Sequence, residues 1–194
     1  VNNDNDWAEC LTVEQLKKMW EPAAEGTITN WNQIDPAFPD QELTLFGAGT
    51  DSGTFDYFTD EITGEEGASR TDYNPTEDDN VTVTGVGGDK GALGYFGFSY
   101  LEENAGAVKP VAIDGGEGCV EPSADNVQAG KYVPLARPLY IYVSKAAAAR
   151  PEVKAYVQFY VDNQDAITGE ALFVALDDTQ KGEQAAELAD VLAG

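Results

Sequence analysis

Histidine is absent from this 194-residue sequence, and its cysteines are limited to Cys10 and Cys119. Without histidine the chain lacks the commonest general base and metal ligand, which excludes Ser-His and Cys-His nucleophiles. Two cysteines cannot form a zinc site by themselves. No apolar run approaches the roughly 18 residues of a membrane-spanning helix, and no basic and apolar signal segment opens the chain. The abrupt start at Val1 is what a processed or truncated chain would show.

Basic side chains are also scarce. Eleven Lys and Arg face 35 Asp and Glu, which gives a formal net charge of −24 at pH 7. A field of this sign repels nucleic acid and anionic membranes, so we expect neither as a partner. Solubility alone would explain an acidic surface. Because the acids are spread along the whole chain, we favour adaptation to high salt, where a Debye length of about 3 Å at 1 M screens their mutual repulsion.

Apolar residues are plentiful enough for a folded core. Hydrophobic residues make up 42% of the sequence and aromatic residues 10%, which argues against global disorder. The length of 194 residues fits one domain or two small lobes, since domains usually have about 100–200 residues.

Local patterns alternate between strand and helix, which predicts an α/β architecture. Strands are predicted at residues 42–46, 81–86, 93–100, 108–113 and 139–143, the last as a fully buried strand. Helices are predicted after a Thr12–Gln15 capping box, after residues 47–54, from Pro151, and at the C-terminus with Thr179 as cap. A seam is expected near residues 134–138, where two prolines bracket an extended segment.

The strongest chemical signal is the glycine-rich turn of residues 47–54, between a predicted strand and a predicted helix. Gly49 and Gly53 allow the backbone to approach a ligand closely, and Ser52 and Thr54 supply hydroxyl donors. The helix directs its first N–H groups and its positive dipole end into the turn, which suits a tetrahedral oxyanion. The Gly-Lys-Ser/Thr of a P-loop is missing, so nucleotide hydrolysis has no motif. An ordinary capped turn is the alternative.

Beyond this turn, the wording and order of several segments resemble the phosphate-binding proteins of ABC phosphate transporters. The segments are residues 30–34 (NWNQI), 51–56 (DSGTFD), 67–73 (GASRTDY), 77–81 (EDDNV), 92–97 (ALGYFG) and 137–143 (RPLYIYV). The resemblance implies a class II periplasmic-binding-protein-like α/β fold. Residues 1–138 would form the second lobe and residues 139–194 the returning C-terminal part of the first lobe. The family's N-terminal lobe segment has no counterpart here.

The same resemblance implies an extracytoplasmic solute-binding protein, periplasmic or at the cell surface, that captures inorganic phosphate for an ABC permease. A lipid anchor through the absent N-terminus would fit that location. No cofactor, metal or catalytic residue is implied. The alternatives are a phosphatase-like enzyme of the same family, against which the missing histidine speaks, a binder of another oxyanion, and an interaction module that has lost binding.

The resemblance assigns the second-lobe half of the phosphate site to the helix start, namely Ser52, Gly53 and Thr54. The better-known family pattern places an arginine four residues before the serine, where this chain has Ala48. A guanidinium fork is the best single partner for phosphate. We favour Arg70 as the replacement, with Arg137 as the alternative, and a salt bridge is the other role open to either.

Asp51 and the two cysteines complete the set of candidates. The Asp51 carboxylate would accept the proton of monohydrogen phosphate, which sulfate lacks and which would therefore discriminate between the two anions; a turn or N-cap carboxylate is the other interpretation. Spacing alone leaves Cys10 and Cys119 open as two buried thiols or as one disulfide. The resemblance puts both in secreted segments, so it favours the disulfide.

Overall fold

The computed structural model describes residues 1–193, and its helices and strands alternate over residues 10–114. Its strands are β1 (Cys10–Thr12), β2 (Thr44–Ala48), β3 (Asn74–Thr76), β4 (Ala92–Gly94), β5 (Ala112–Asp114) and β6 (Cys119–Val120). Its helices are α1 (Val13–Trp20), α2 (Gly53–Thr63), α3 (Asp79–Gly88), α4 (Phe98–Glu103), α5 (Ala124–Gln128), α6 (Lys145–Ala148), α7 (Pro151–Asp162), α8 (Gln164–Glu170) and α9 (Asp178–Ala193). The predicted α/β class is confirmed.

Two small sheets organise the first part of the chain. One has the order β3-β2-β4 with both pairs parallel, and the other has the order β1-β5-β6 with β5 and β6 antiparallel. Because β2 is central, its carboxyl end opens between two neighbours, which is where ligands bind in open α/β sheets. The turn of residues 49–52 leaves β2 at that end and leads directly into α2.

An aromatic core packs α1 against α2 and the β2 sheet. Trp20 is 1% exposed, and its ring meets Phe58, Tyr73 and Tyr95 edge-on with centroids 5.4, 5.4 and 4.9 Å away. Tyr95 also stacks on Phe58 at 3.8 Å. Such pairs add to the burial of large apolar surfaces, so Phe58 anchors α2 on the aromatic core.

The local helix signals were mostly correct. Gln15 N–H donates to Thr12 Oγ1 at 3.1 Å while Thr12 N–H donates to Gln15 Oε1 at 2.9 Å, so the predicted capping box is confirmed. The helix from Pro151 is confirmed as α7. Thr179 is wrong as the cap of α9, because Asp177 forms the reciprocal pair instead: its Oδ1 accepts from Gln180 N–H at 2.8 Å.

The predicted strand at residues 81–86 is wrong, since these residues lie within α3. Asp78 caps that helix by accepting from Asn80 N–H at 3.0 Å, and Thr82, Val83 and Val86 are buried at helical spacing. Their β-branched side chains suit a strand locally, but packing overrides that preference. The strands predicted at 93–100 and 108–113 shrink to Ala92–Gly94 and Ala112–Asp114, because Phe98 begins α4 and β5 starts late.

The strand predicted at residues 139–143 is also wrong, both as a strand and as a buried segment. Leu139, Tyr140, Ile141 and Tyr142 are 66%, 69%, 47% and 89% exposed. A strand needs a neighbour for its backbone hydrogen bonds, and none within residues 1–193 pairs with this segment. Further exposed aromatics are Tyr156 and Phe159 on α7 and Phe173 between α8 and α9. We call these seven residues the C-terminal apolar surface.

The structure joins Cys10 in β1 to Cys119 in β6 through a disulfide, with the two Cα atoms 5.9 Å apart. The bond ties the two outer strands of the β1-β5-β6 sheet across 109 positions of sequence. Among the helices of residues 1–193, none combines the length and the apolar character that a membrane crossing requires.

Candidate functional site

The turn between β2 and α2 is closed by its own backbone. Gly49 N–H donates to the Thr76 carbonyl at 3.1 Å, and Ser52 N–H donates to the Gly49 carbonyl at 3.1 Å. Ser52 is the N-cap of α2, because its Oγ accepts from Thr54 N–H at 3.1 Å. The predicted helix after the turn is therefore confirmed, and its first residues have one fixed backbone conformation.

Several donors at the start of α2 have no partner within residues 1–193. The first N–H groups of a helix lack intrahelical acceptors; here those of Thr54 and Asp56 bind Ser52, whereas those of Gly53 and Phe55 stay free. The Ser52 hydroxyl can still donate its proton, and the half-exposed Thr54 hydroxyl makes no hydrogen bond in the described part of the chain. This arrangement can bind an anion that approaches from solvent.

Ala48, where the family pattern has arginine, is 2% exposed at the end of β2. Its carbonyl accepts from the Tyr73 hydroxyl at 2.8 Å and from the Tyr95 hydroxyl at 3.4 Å. Desolvation by burial is the main reason that the pKa of both hydroxyls is raised, so both remain protonated donors. The position therefore belongs to the core.

Arg70, the favoured guanidinium fork, has its charge already paired. Its Nε and Nη2 donate to Asp72 Oδ1 at 2.5 Å and Oδ2 at 2.8 Å, and Nη1 donates to the carbonyls of Met19 at 3.1 Å and Ile28 at 2.9 Å. These bonds hold the pKa of Asp72 down at about 2. Arg70 is 5% exposed and lines an open cavity of about 490 Å³ together with Gly49 and Thr50.

Arg137, the alternative, lies beside the first turn of α2. Its Nη2 donates to the Gly53 carbonyl at 3.1 Å, and its guanidinium carbon is 4.8 Å from the centre of the Tyr57 ring. The side chain is exposed, and its other N–H groups find no hydrogen-bond partner in residues 1–193. The structure thus brings Arg137 to the helix start and uses Arg70 to join distant segments.

Asp51 is exposed and is not the N-cap, since Ser52 has that role. Its backbone N–H lies 3.4 Å from Glu77 Oε1, and its carboxylate makes no hydrogen bond within residues 1–193. Two carboxylates therefore flank the turn. Glu77 was not predicted here, although its position in the acidic 77–81 segment could have indicated it.

Tyr57 is a second residue that sequence reasoning missed. Its hydroxyl donates to the carbonyls of Pro134 at 2.5 Å and Ala136 at 3.2 Å, in the segment that leads to Arg137. Tyr57 lies four residues after Gly53, so both lie on one face of the helix. This spacing is the sequence feature that could have identified Tyr57. Over the described residues 1–193, no group of three or more acidic, His or Cys side chains is arranged to hold a metal ion.

Comparison with known proteins identifies relatives of this chain. Residues 1–164 match a family described as the PBP superfamily domain. Protein SphX of Synechocystis sp. is 48% identical over 176 residues, which cover 90% of this chain and 52% of that protein. The phosphate-binding protein PstS of Staphylococcus saprophyticus is 31% identical over 194 residues, 99% of this chain and 58% of that protein.

Among solved structures, a possible phosphate binding protein from Planctomyces limnophilus superposes with a TM-score of 0.86 at 40% identity. The match covers 99% of this chain and 68% of that one. The chain spans about half the length of the curated relatives it matches.

Proposed function

Because this chain belongs to the PBP superfamily, we propose that it is part of an extracytoplasmic solute-binding protein that captures inorganic phosphate for an ABC permease. It binds without covalent chemistry. Two of the relatives support this proposal, since one is named phosphate-binding protein PstS and another is described as a possible phosphate binding protein. Location at the cell surface or in a periplasm, with or without a lipid anchor, is part of the same proposal.

The start of α2 carries the proposal. Its first turn presents the N–H groups of Gly53 and Phe55, which have no acceptor among residues 1–193, and the hydroxyls of Ser52 and Thr54. The Arg137 guanidinium lies alongside. Oriented backbone donors cost little reorganisation when an anion binds, and the helix dipole favours negative charge there. These donors must also overcome the repulsion of a net charge of −24.

For the guanidinium fork we now propose Arg137 in preference to Arg70. Four of the five N–H groups of Arg70 already bind protein acceptors, so a ligand would have to break a paired charge to use them. Within residues 1–193, Arg137 has one protein acceptor, and its fork is exposed. Asp51 remains the proposed acceptor for the proton of monohydrogen phosphate, since its carboxylate makes no hydrogen bond in the described part of the chain.

The other half of the site would come from a first lobe completed by residues outside this chain. We propose that residues 139–194 belong to that lobe and that the C-terminal apolar surface is its internal face. Support comes from the exposure of its seven large apolar side chains, which soluble proteins rarely present together. The limited share of each relative that the chain covers agrees with this proposal.

Calorimetric titration of phosphate tests the function. The protein that includes any residues preceding Val1 should bind phosphate tightly and sulfate poorly, while the 194-residue chain alone should bind phosphate weakly, because water competes at a half-open site. Ser52→Ala and Thr54→Ala should each cost about 1.5–3 kcal/mol of binding free energy. Tight binding by the chain alone would reject the missing half-site.

A phosphomonoester hydrolysis assay, with and without added divalent metal, separates binding from the phosphatase alternative. We expect no turnover above the rate of a Ser52→Ala control. Sustained hydrolysis that this substitution abolishes would replace the proposed function by an enzymatic one.

A further inference from the structure

The Tyr57 hydroxyl connects α2 to the crossover segment, which we define as residues 134–138. It donates to the carbonyls of Pro134 and Ala136, which lie 77 and 79 positions away in sequence. Burial raises the pKa of Tyr57, and Glu61 raises it further while Arg137 opposes the shift. The hydroxyl therefore stays protonated at neutral pH, and the two carbonyls share its single proton, with the Pro134 carbonyl nearer at 2.5 Å and the Ala136 carbonyl at 3.2 Å.

The Tyr57 ring meets the side chain that follows those carbonyls. The Arg137 guanidinium carbon lies 4.8 Å from the ring centroid, within the range in which an aromatic face attracts a cation. Arg137 Nη2 simultaneously donates to the Gly53 carbonyl at 3.1 Å. Since Gly53 and Tyr57 are four residues apart on one helical face, α2 holds the guanidinium at two points.

We propose that Tyr57 is a positioning residue for anion binding: its hydroxyl fixes the crossover backbone, and its ring fixes the Arg137 fork beside the start of α2. This inference rests on the proposed function. A free arginine side chain has many rotamers, and restraining them before the ligand arrives reduces the entropy lost on binding. The hydrogen bond from Arg137 Nη2 to the Gly53 carbonyl leaves the other N–H groups of Arg137 without an acceptor in residues 1–193, so they can bind the anion.

A double-mutant cycle between Tyr57 and Arg137 tests this role. Phosphate titrations would use the protein with any residues preceding Val1, as wild type, Tyr57→Phe, Tyr57→Leu, Arg137→Ala and the two double variants. Tyr57→Phe keeps the ring and loses the two hydrogen bonds, so we expect binding about threefold to tenfold weaker. Tyr57→Leu also loses the aromatic face and should weaken binding by about tenfold to thirtyfold.

The decisive measurement compares the effect of each Tyr57 substitution on phosphate affinity in the presence and in the absence of the Arg137 side chain. If Tyr57 acts through Arg137, both substitutions should change affinity less than about twofold once Arg137 is alanine. Tyr100→Phe is the matched control, because the Tyr100 hydroxyl makes no hydrogen bond within residues 1–193, and it should leave the affinity unchanged. Thermal melts of each variant, read beside the titrations, identify any loss of folded protein.

Equal losses in both backgrounds would overturn the inference, because they would show that Tyr57 acts on the fold and not on Arg137. An unchanged phosphate affinity in Tyr57→Phe would also overturn the inference. This variant keeps the aromatic ring, so it can be measured even if Tyr57→Leu unfolds. If the wild type binds phosphate and Arg137→Ala binds it equally well, this inference alone is overturned. If the wild type binds no phosphate, both this inference and the proposed function are overturned.

Discussion

Replacing Arg70 by methionine should destabilise the protein strongly. The Arg70 side chain is 5% exposed, and the substitution removes two hydrogen bonds to the Asp72 carboxylate and one each to the Met19 and Ile28 carbonyls. Breaking a buried ion pair by removing one partner typically costs 3–5 kcal/mol. Because Asp72 is 35% exposed, water partly solvates it, and we expect about 3 kcal/mol.

Urea unfolding followed by tryptophan fluorescence measures this loss, since Trp20 lies in the core beside the affected carbonyl of Met19. The midpoint should fall while the slope with urea concentration stays constant. Arg150→Met is the matched control. Arg150 makes the same kind of bond, Nε and Nη2 to Glu152 Oε1, but both side chains are more than 60% exposed, at 62% and 64%.

The control should leave the unfolding midpoint essentially unchanged, because exposed ion pairs contribute little. If Arg70→Met and Arg150→Met behave alike, the buried pair has no structural importance. Arg70 would then be available to a ligand, and the preference for Arg137 at the anion site would lose its physical basis.

Three further measurements test the electrostatics and the disulfide. The pKa of Asp72 is lowered from 3.8 to about 2, chiefly by its hydrogen bonds from Arg70, so its stabilisation is complete only above about pH 5 and is lost as the pH falls through about 2. The difference in unfolding free energy between wild type and Asp72→Asn should shrink by about 1 kcal/mol across that window, allowing for solvent exposure. A constant difference would contradict the ion pair. Because a net charge of −24 repels itself, the melting temperature should rise as sodium or potassium chloride goes from low to molar concentration, and a flat curve would reject the high-salt interpretation. Thiol titration of the denatured, unreduced protein should detect no free cysteine, and two titratable thiols would disprove the bond. Reduction should lower the free energy of unfolding by roughly 4–5 kcal/mol on the chain-entropy estimate for so long a loop.

Short-range features of this protein were predictable from sequence because a few neighbouring residues determine them. Thr12 and Gln15 form their capping box within a single turn of chain. The residues from Ser52 to Thr54 start α2 because a serine Oγ two positions away satisfies the Thr54 N–H. Short segments in the order typical of a family also indicated the family, and the comparison with known proteins then showed it.

Longer-range choices depended on the tertiary structure. In α3, burial of Thr82 and Val86 outweighed their β-branched preference for a strand. The segment of residues 139–143 has the composition of a buried strand, but it is exposed because no strand in residues 1–193 lies beside it.

The choice between the two arginines shows the same limit most clearly. The sequence favoured Arg70 over Arg137, but local residues do not show which guanidinium stays free for a ligand. Folding places the Arg70 fork against carbonyls 51 and 42 positions away and against its own near neighbour Asp72. Folding also places the Arg137 fork against the Gly53 carbonyl, 84 positions away. Sequence therefore determined which donors begin α2, and only the path of the chain decided which cation lies beside them, because that depends on contacts between residues far apart in sequence.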